Sequence, residues 1–447
     1  MAETLLIAAP ASNSGKTLIT LSLLALMRQR GVVVTSAKVG PDYIDPAFHA
    51  AASGRPCLNL DPWAMSRARL ARHLRTAARD AELLVIEGVM GLFDGAAQGA
   101  GSTADLAAMF GLPVVLVLDC ARQGQSVAAI AKGFRDFRED VHVAGVILNN
   151  VATERHGGML AAAIEEHAGL PVVGKVMRQP DMTLPSRHLG LVQAAEHDEL
   201  DNFLARAAEK IAGGISPCRL ANLTRPLNLE GADDADEAKS GTNGGAPLPP
   251  LAGRIAIAFD DAFAFVYPHL LKDWRDQGAE LSFFSPLAGE APDAEANAVF
   301  LPGGYPELHA GRLAAAGRFK QGLRAAADRG ALIYGECGGY MALGESLTDK
   351  QGRAHEMAGL LPLSTSFASP RLHLGYRELV HASPLPFPAR LRGHEFHYAR
   401  TLSKADAPPL FEAADSQGEA LAPMGMVRNT VCGSFAHVIC PAPDAAP

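Results

Sequence analysis

Residues 331–344 have the sequence ALIYGECGGYMALG, and this stretch indicates how the second half of the chain folds. It begins with a short apolar run of strand length and ends with residues able to form a helix. Between them lies G-x-C-x-G, the cysteine version of a nucleophile elbow, a strained turn that needs glycine on both sides. The N-terminus of the following helix favours the thiolate form of Cys337. The pattern predicts that Cys337 is a nucleophile; the alternative is a buried structural cysteine in a glycine-rich turn.

The composition indicates an ordinary globular protein, with 48% hydrophobic and 20% charged residues. A chain of 447 residues is too long for one hydrophobic core, so we expect two domains. The net charge of −8 without a basic block argues against a nucleic acid partner. The six cysteines form no C-x-x-C pair, which predicts neither a disulfide framework nor a zinc site. No leader segment or membrane-length apolar run is present, so we expect a cytoplasmic protein without a membrane partner.

A phosphate-binding loop is predicted near the start of the chain. Residues 4–17, TLLIAAPASNSGKT, place a buried strand before a loop ending in G-K-T, and residues 18–30 have helical periodicity. Backbone N–H groups at the helix start would cradle phosphates, Lys16 would add a charge, and the Thr17 hydroxyl would reach Mg²⁺. Pro10 stands where the motif has its first glycine. The order of strand, loop and helix nevertheless predicts nucleotide binding.

Acidic residues follow two further strand-like runs. After residues 32–37, Asp42 and Asp45 lie in a turn-rich loop at a strand's carboxyl end, where ligands bind in open α/β sheets. Turn chemistry explains the same two residues equally well. After the apolar run ELLVI, Glu87 occupies the Walker-B position, where a carboxylate can hold Mg²⁺. Glu87 is therefore the stronger metal candidate, and Asp94 in the adjoining glycine-rich loop is the weaker one.

Apolar runs alternate with helical stretches as far as residue 177, which predicts an α/β domain with a doubly wound, mainly parallel sheet. Residues 223–250 are rich in small and polar side chains and are predicted to form a flexible linker. The alternation then restarts. The predicted organisation is one α/β domain over residues 1–222, the linker, and a second doubly wound α/β domain over residues 251–447.

The second domain also contains candidates for the partners of Cys337. Gly303 and Gly304 follow an apolar run, and such a turn exposes N–H groups that suit an oxyanion hole, although a simple turn is the alternative. Residues 312–329 are predicted to form one long amphipathic helix. Histidine is the usual base for a cysteine nucleophile, and spacing alone leaves three candidates open. They are His394, His397 and His437.

Seven sequence blocks resemble the cobyrinic acid a,c-diamide synthase family, which includes enzymes acting on hydrogenobyrinic acid. The resemblance covers nearly the whole chain except the linker. It implies an ATP-dependent, glutamine-hydrolysing amidase of corrinoid biosynthesis. The first domain would be P-loop NTPase-like, similar to dethiobiotin synthetase, and the second a flavodoxin-like class I glutamine amidotransferase. The blocks are KVGPDYIDPAFH (38–49), IEGVMGLFDG (86–95), GVILNN (145–150), SRHLGLV (186–192), LPGGYPEL (301–308), GECGGYMALG (335–344) and RGHEFHYAR (392–400).

The resemblance implies a role for each candidate in the second domain. Cys337 would be the glutaminase nucleophile and His437 the residue that activates it. The oxyanion and glutamine site would comprise Gly303, Gly304 and Gly338. Class I enzymes carry an acid two residues after the histidine, and Ile439 occupies that position here. The family is known for a Cys–His pair, so this departure fits the family but leaves the group that orients His437 unidentified.

The resemblance also implies the ligands of the first domain: ATP, Mg²⁺ and a corrinoid, cobyrinic or hydrogenobyrinic acid, with glutamine as the partner of the second domain. A homodimer is plausible. The predicted ATP site comprises Ser14, Gly15, Lys16, Thr17 and Asn149, the last beside the adenine. The predicted Mg²⁺ ligands are Thr17, Asp45 and Glu87. Weaker candidates for substrate or metal contacts are Asp42, Asp94, Arg187 and His188, the last two facing ring carboxylates.

Three alternatives remain at this stage. Cobyric acid synthase has the same domains and different amidation sites, and nickel-sirohydrochlorin a,c-diamide synthase is closer in its motifs. A ParA-like switch ATPase accounts for the first half only and leaves Cys337 without a purpose.

Overall fold

The computed structural model describes residues 2–179, 182, 186–187, 190–197, 199–229, 231, 246–404 and 407–442. By its internal contacts the chain divides into two compact units, Met1–Ser240 and Gly241–Pro447. The division falls within the stretch predicted to be the linker. None of the helices among the described residues has the length and apolar character needed to cross a bilayer.

The first unit is built on a parallel sheet with strand order β3-β2-β4-β1-β5-β6-β7. Strand β1 lies in the middle and is buried on both faces, as its uninterrupted apolar sequence requires. The prediction of a mainly parallel sheet is confirmed. The strands are β1 Glu3–Ala8, β2 Val34–Val39, β3 Leu58–Leu60, β4 Leu83–Glu87, β5 Val114–Asp119, β6 Val143–Val151 and β7 Val172–Met177.

Helices connect these strands, so the carboxyl ends of β1, β2 and β4 meet at one edge of the sheet. Two short strands, β8 Ser186–Arg187 and β9 Gly190–Leu191, form a separate pair. The helices are α1 Lys16–Gln29, α2 Asp45–Ser53, α3 Arg67–Ala77, α4 Thr103–Phe110, α5 Val127–Asp136, α6 Glu154–Ala168, α7 Leu200–Ala212 and α8 Pro217–Ala221.

The first unit continues beyond residue 222, where the sequence placed its end. Strand β10, Arg225–Pro226, pairs antiparallel with Glu3 and Thr4 of β1, and the Leu227 N–H donates to the Ala2 carbonyl. The cause is that β1 meets β5 only from Leu6 onward, so its first residues offer an open edge that β10 covers.

The second unit has a six-stranded sheet of order β12-β11-β13-β14-β23-β22, parallel except for β22. This confirms the predicted sheet type. The predicted single helix over 312–329 is wrong, because the backbone at Ala316 has ψ 70° and interrupts it. The strands are β11 Arg254–Ala258, β12 Glu280–Phe284, β13 Ala298–Leu301, β14 Leu332–Glu336, β22 Met426–Arg428 and β23 Val431–Ser434, and the helices are α9 Pro268–Asp276, α10 Ala310–Ala315, α11 Gly317–Asp328 and α12 Gly338–Leu343.

Two four-stranded sheets were not predicted from the sequence. One has the order β16-β15-β17-β20, and the other is antiparallel with the order β21-β18-β19-β24. The second one carries all three candidate histidines, on β19 and β24. Their strands are β15 Ser346–Thr348, β16 Ala354–Glu356, β17 Leu363–Ser366, β18 His373–Val380, β19 Arg390–His397, β20 Arg400–Lys404, β21 Glu412–Ala414 and β24 Ala436–Pro441.

Candidate active sites

Cys337 lies in the predicted strand-to-helix turn. It follows β14 directly, and its φ of 45° and ψ of −101° are strained values for a residue with a side chain. The neighbouring glycines allow α12 to pack directly on the sheet. A methyl group on Gly339 would lie 1.8 Å from the Leu301 carbonyl oxygen, and one on Gly335 would lie 2.8 Å from the backbone of Gly339. The turn therefore has the geometry of a nucleophile elbow.

Gly303 and His437 lie against the elbow. A methyl group on Gly303 would lie 2.3 Å from Cε1 and 3.0 Å from Nε2 of His437, and 3.3 Å from Cβ of Cys337. A methyl group on Gly338 would lie 3.0 Å from the Gly304 nitrogen. Four residues predicted for this site thus lie close to Cys337: Gly303, Gly304, Gly338 and His437.

The fold distinguishes the three histidines that spacing left open. His437 is the one that lies against Gly303. His394 is its neighbour in register on β19, and the ring of His397 bonds instead to the Glu395 carboxylate, Nε2 to Oε1 2.8 Å. Arg377 also contacts that carboxylate, at 2.7 Å.

Burial controls the ionisation of this site. It raises the pKa of the Cys337 thiol, with further contributions from the charges of Glu307 and Glu395. The Gly338 N–H at the start of the helix lowers that pKa, as expected, but burial and the nearby carboxylates outweigh it. Burial and the neighbouring His437 lower the pKa of His394 to about 3, so its ring is neutral at ordinary pH.

In the first unit, the loop before α1 has the predicted phosphate-binding geometry. Gly15 has a φ of 90° and precedes the helix, and a methyl group there would lie 2.1 Å from Nδ2 of Asn149. That Nδ2 donates to the Ser14 carbonyl at 3.0 Å. The Ser14 hydroxyl donates to the Ala11 carbonyl at 2.9 Å. Asn149 therefore supports the loop backbone, while its contact with adenine remains a prediction.

Three oxygen-bearing side chains converge beside this loop. The Thr17 hydroxyl donates to Oε1 of Glu87 at 2.6 Å and lies 3.4 Å from Oδ2 of Asp45. Burial alone would raise the pKa of Glu87, but Lys38 and His49 lower it to about 2. Burial and the charge of Asp42 raise the pKa of Asp45 to about 8. The three predicted metal ligands thus lie together.

Two lysines bring positive charge to the same place. Nζ of Lys16 donates to the Met90 carbonyl at 2.5 Å, and burial together with Lys38 lowers its pKa to about 8. Lys38 is buried and lies 3.6 Å from Oδ2 of Asp45. Burial opposes its charge, yet the carboxylates of Glu87, Asp42 and Asp45 outweigh burial and raise its pKa.

Sequence reasoning missed Lys38 and also His49, whose Nε2 lies 2.6 Å from Oε2 of Glu87. The position of Lys38, directly after the strand-like run of residues 32–37, was the available signal, since buried lysines are rare unless paired. His49 gave no local signal, because it lies on α2 and meets Glu87 only in the folded chain.

The weaker candidates have local partners. Oδ1 of Asp42 accepts the N–H groups of Ile44 and Asp45, both at 2.9 Å, which is the turn chemistry that the sequence offered as an alternative for Asp42. Oδ2 of Asp94 accepts the Gly91 N–H at 2.8 Å. The Arg187 guanidinium forms two bonds of 2.7 Å with the Glu196 carboxylate. His188 lies outside the described residues. Substrate contacts by these residues remain predictions.

Comparisons with known proteins match each of the two units to a protein family. Residues 5–192 match the CobQ/CobB/MinD/ParA nucleotide binding domain, and residues 254–445 match the CobB/CobQ-like glutamine amidotransferase domain. The hydrogenobyrinate a,c-diamide synthase of Brucella anthropi is 52% identical over 97% of this chain and 98% of the relative. That of Rhodobacter capsulatus is 52% identical with the same coverage. A solved structure of PurLQS from Thermotoga maritima is 18% identical over 41% of this chain and 86% of that one, with a TM-score of 0.30.

Fold, sites and comparisons together define a glutamine-hydrolysing ligase, in which a P-loop nucleotide-binding unit and a glutamine amidotransferase unit are parts of one chain. Within this class, the chain belongs to the hydrogenobyrinate a,c-diamide synthase family.

Proposed function

We propose that this protein amidates the a and c acetate carboxylates of hydrogenobyrinic acid, using ATP and ammonia released from glutamine, in cobalamin biosynthesis. The observation that carries the proposal is the presence in one chain of two complementary sites. One is the buried elbow where Cys337 and His437 meet at Gly303, and the other is the cluster of Lys16, Thr17 and Glu87 behind a phosphate-binding loop.

In the glutaminase half, Cys337 attacks the side-chain amide of glutamine. Burial raises the pKa of its thiol, so a neighbouring base is needed to take the thiol proton as the thioester forms. His437 accepts that proton and passes it to the departing ammonia. The N–H groups of Gly304 and Gly338 stabilise the oxyanion. Water then hydrolyses the glutamyl thioester to glutamate and restores the thiol.

In the ligase half, the ring carboxylate attacks the γ-phosphorus of ATP and becomes an acyl phosphate, with ADP as the leaving group. Ammonia then attacks the acyl carbon and phosphate departs, which gives the amide. The charge that develops on the transferring phosphoryl group calls for cations, and Lys16 and Lys38 supply two. His49 holds the Glu87 carboxylate in place through its 2.6 Å contact.

The chemistry of the donor set fits Mg²⁺. Carboxylate and hydroxyl oxygens are the ligands this ion prefers, and the Thr17 hydroxyl lies within 3.4 Å of one oxygen from each of Asp45 and Glu87. These three residues would hold the ion, which when bound neutralises phosphate charge. A cytoplasmic location and a homodimer are further parts of this proposal, and light scattering of the purified protein tests the second.

The ring substrate is inferred from the relatives, which are named for hydrogenobyrinate. Parallel assays with hydrogenobyrinic acid and the cobalt-containing cobyrinic acid, followed by mass spectrometry of the products, distinguish the two rings. Two successive gains of an amide on hydrogenobyrinic acid are expected. Clear preference for the cobalt ring, or for nickel sirohydrochlorin, would overturn the assignment of the ring while leaving the reaction type intact. More than two gains would indicate the reaction of a cobyric acid synthase.

Two substitutions test the division of labour between the two units, one at the proposed nucleophile and one at a proposed metal ligand. Cys337→Ala should abolish glutamine-dependent amidation and leave amidation from ammonium chloride intact. Cys432→Ala removes another buried thiol, one strand away from the elbow, and is the matched control that should retain both activities. Glu87→Gln should lose amidation from either nitrogen source and still release glutamate. A folded Cys337→Ala protein that lost both activities would contradict the proposal.

A further inference from the structure

The acid that orients the histidine in class I amidotransferases is missing from its usual position, where Ile439 stands. A histidine that accepts a proton from a thiol at one ring nitrogen works best when the other nitrogen is held by an acceptor, because that contact fixes the tautomer and stabilises the charged ring. In this protein the edge of the ring that bears Cε1 and Nε2 lies toward Gly303 and Cys337. The partner must therefore lie at Nδ1.

A carboxylate from a different part of the chain lies there. Oε2 of Glu336 is 3.6 Å from Nδ1 of His437, and both side chains are at most 4% exposed. The other oxygen, Oε1, accepts the Tyr334 hydroxyl at 3.0 Å and the Val438 N–H at 3.0 Å. The carboxylate is thus fixed by two bonds on one oxygen, which leaves the other directed at the imidazole.

The sheet explains how the residue before the nucleophile reaches the histidine. Glu336 is the last residue of β14 and pairs in register with Ser434 of β23, and the Cys337 N–H donates to the Ser434 carbonyl. The chain then turns at residue 435, so β24 and His437 begin directly beside the end of β14. Cys337 and Glu336 are neighbours in the sequence, and the turn places His437 close to both.

The acid nearest to the site on β19 is engaged elsewhere. Glu395 follows His394, and since His394 shares a face with His437, the side chain of Glu395 points to the opposite face of the strand. Its carboxylate bonds to His397 and Arg377. These contacts lower the pKa of Glu395 to about 2, although burial alone would raise it. The Glu395 carboxylate is therefore already paired with His397 and Arg377.

We propose that Glu336 is the positioning residue of the glutaminase site. Its carboxylate accepts a hydrogen bond from Nδ1–H of His437, in place of the acid found elsewhere in class I enzymes. The active group is then a Cys337–His437–Glu336 triad in which acid and nucleophile are adjacent in the chain. The inference rests on the proposed glutaminase function. It makes Glu336 specific to glutamine hydrolysis and irrelevant to the use of free ammonia.

The test is steady-state glutamine hydrolysis by Glu336→Gln in the full-length protein. The substitution keeps the size of the side chain and removes its charge, so we expect kcat to fall about 100-fold or more, given that loss of the acid costs up to roughly 10⁴-fold in a Ser-His-Asp triad. KM for glutamine should stay within about two-fold and ammonia-dependent amidation should be unchanged, since neither depends on the orientation of the imidazole.

Asp349→Asn is the matched control. Asp349 is also a buried carboxylate bonded to a histidine, 2.8 Å from Nε2 of His355, but it follows β15 in a different sheet of the same unit. It should keep wild-type kcat. A Glu336→Gln protein that retains more than a third of wild-type kcat would overturn the inference, and so would a loss that appears mainly as a higher KM.

Glu336→Asp tests the positioning role of Glu336 if the Glu336→Gln protein does not fold. It keeps the charge and withdraws the carboxylate by one methylene, so a positioning role predicts at least a ten-fold loss of kcat at unchanged KM, and wild-type kcat would refute it. Failure of the proposed function has a separate signature, because wild-type protein would then release no glutamate at all.

Discussion

Replacing Gly303 by alanine should disable glutamine hydrolysis by displacing the ring of His437, the proposed base. The added methyl group would lie 2.3 Å from Cε1 of His437. Carbon atoms pack at about 3.5–4.0 Å, so the ring or the loop must move by roughly 1.2–1.7 Å. The ring is fully buried and the methyl would also lie 3.3 Å from Cβ of Cys337, so the displacement falls on the reacting groups themselves.

A displacement of about 1 Å at a catalytic group costs on the order of 100-fold in rate, or about 2.7 kcal/mol in activation free energy. We therefore expect kcat for glutamate release to fall about 100-fold or more in Gly303→Ala. Amidation supported by ammonium chloride should remain at the wild-type level, because it does not use this site. The two rates are measured on the same preparation, by coupled detection of glutamate and by mass spectrometry of the amidated ring.

Gly317→Ala is the matched control, since it lies at the start of α11 and a methyl group there meets no heavy atom of the described residues within 4 Å. It should keep both activities. If Gly303→Ala retained more than a third of wild-type kcat with an unchanged melting temperature, the contact between Gly303 and His437 would not be part of the working site, and the reasoning from close approach would be refuted.

Two further variants test the first unit and the electrostatics of the second. Gly15→Ala places a methyl group 2.1 Å from Nδ2 of Asn149 at a φ of 90°, so amidation from either nitrogen source should fall more than ten-fold. Gly31→Ala is its control, because Gly31 has a similar φ of 81° but no described atom within 4 Å of the added methyl group. That variant should lose only about 1 kcal/mol of stability. His394 has a folded-state pKa of about 3, below its usual value, so the unfolded state binds the proton first and stability is lost as pH falls below about 6.5. At pH 5 this loss amounts to about 2 kcal/mol, and in urea titrations that follow unfolding of the second unit His394→Gln should remove that pH dependence. An unchanged slope in His394→Gln would show that the ring is not buried in its neutral form.

The two motifs were predictable because each is contiguous. The phosphate-binding loop and the elbow are written in residues that remain adjacent after folding, and their glycines and flanking apolar runs follow from local geometry alone. The same holds for Glu87 at the end of an apolar strand. The sheet types followed from the alternation of strands and helices. The two smaller sheets did not, because β15, β16, β17 and β21 have only three or four residues each. In the longer strand β18, burial does not alternate from residue to residue.

The residues alone thus predicted the positions of the candidate nucleophile, of the phosphate-binding loop and of Glu87, together with the fold class. The folded chain added the contact of Gly303 with His437, the histidine that the family resemblance indicated. It also added Lys38 and His49 to the cluster beside the phosphate-binding loop, and placed Glu336 3.6 Å from Nδ1 of His437. The physical reason is the same in each case. These contacts join residues far apart in the chain, such as Glu336 and Val438, which are 102 positions apart, and only the packing of strands and helices in the folded chain brings them together. The elbow marks the proposed nucleophile in the sequence, and strand β24 brings the proposed base, His437, to it.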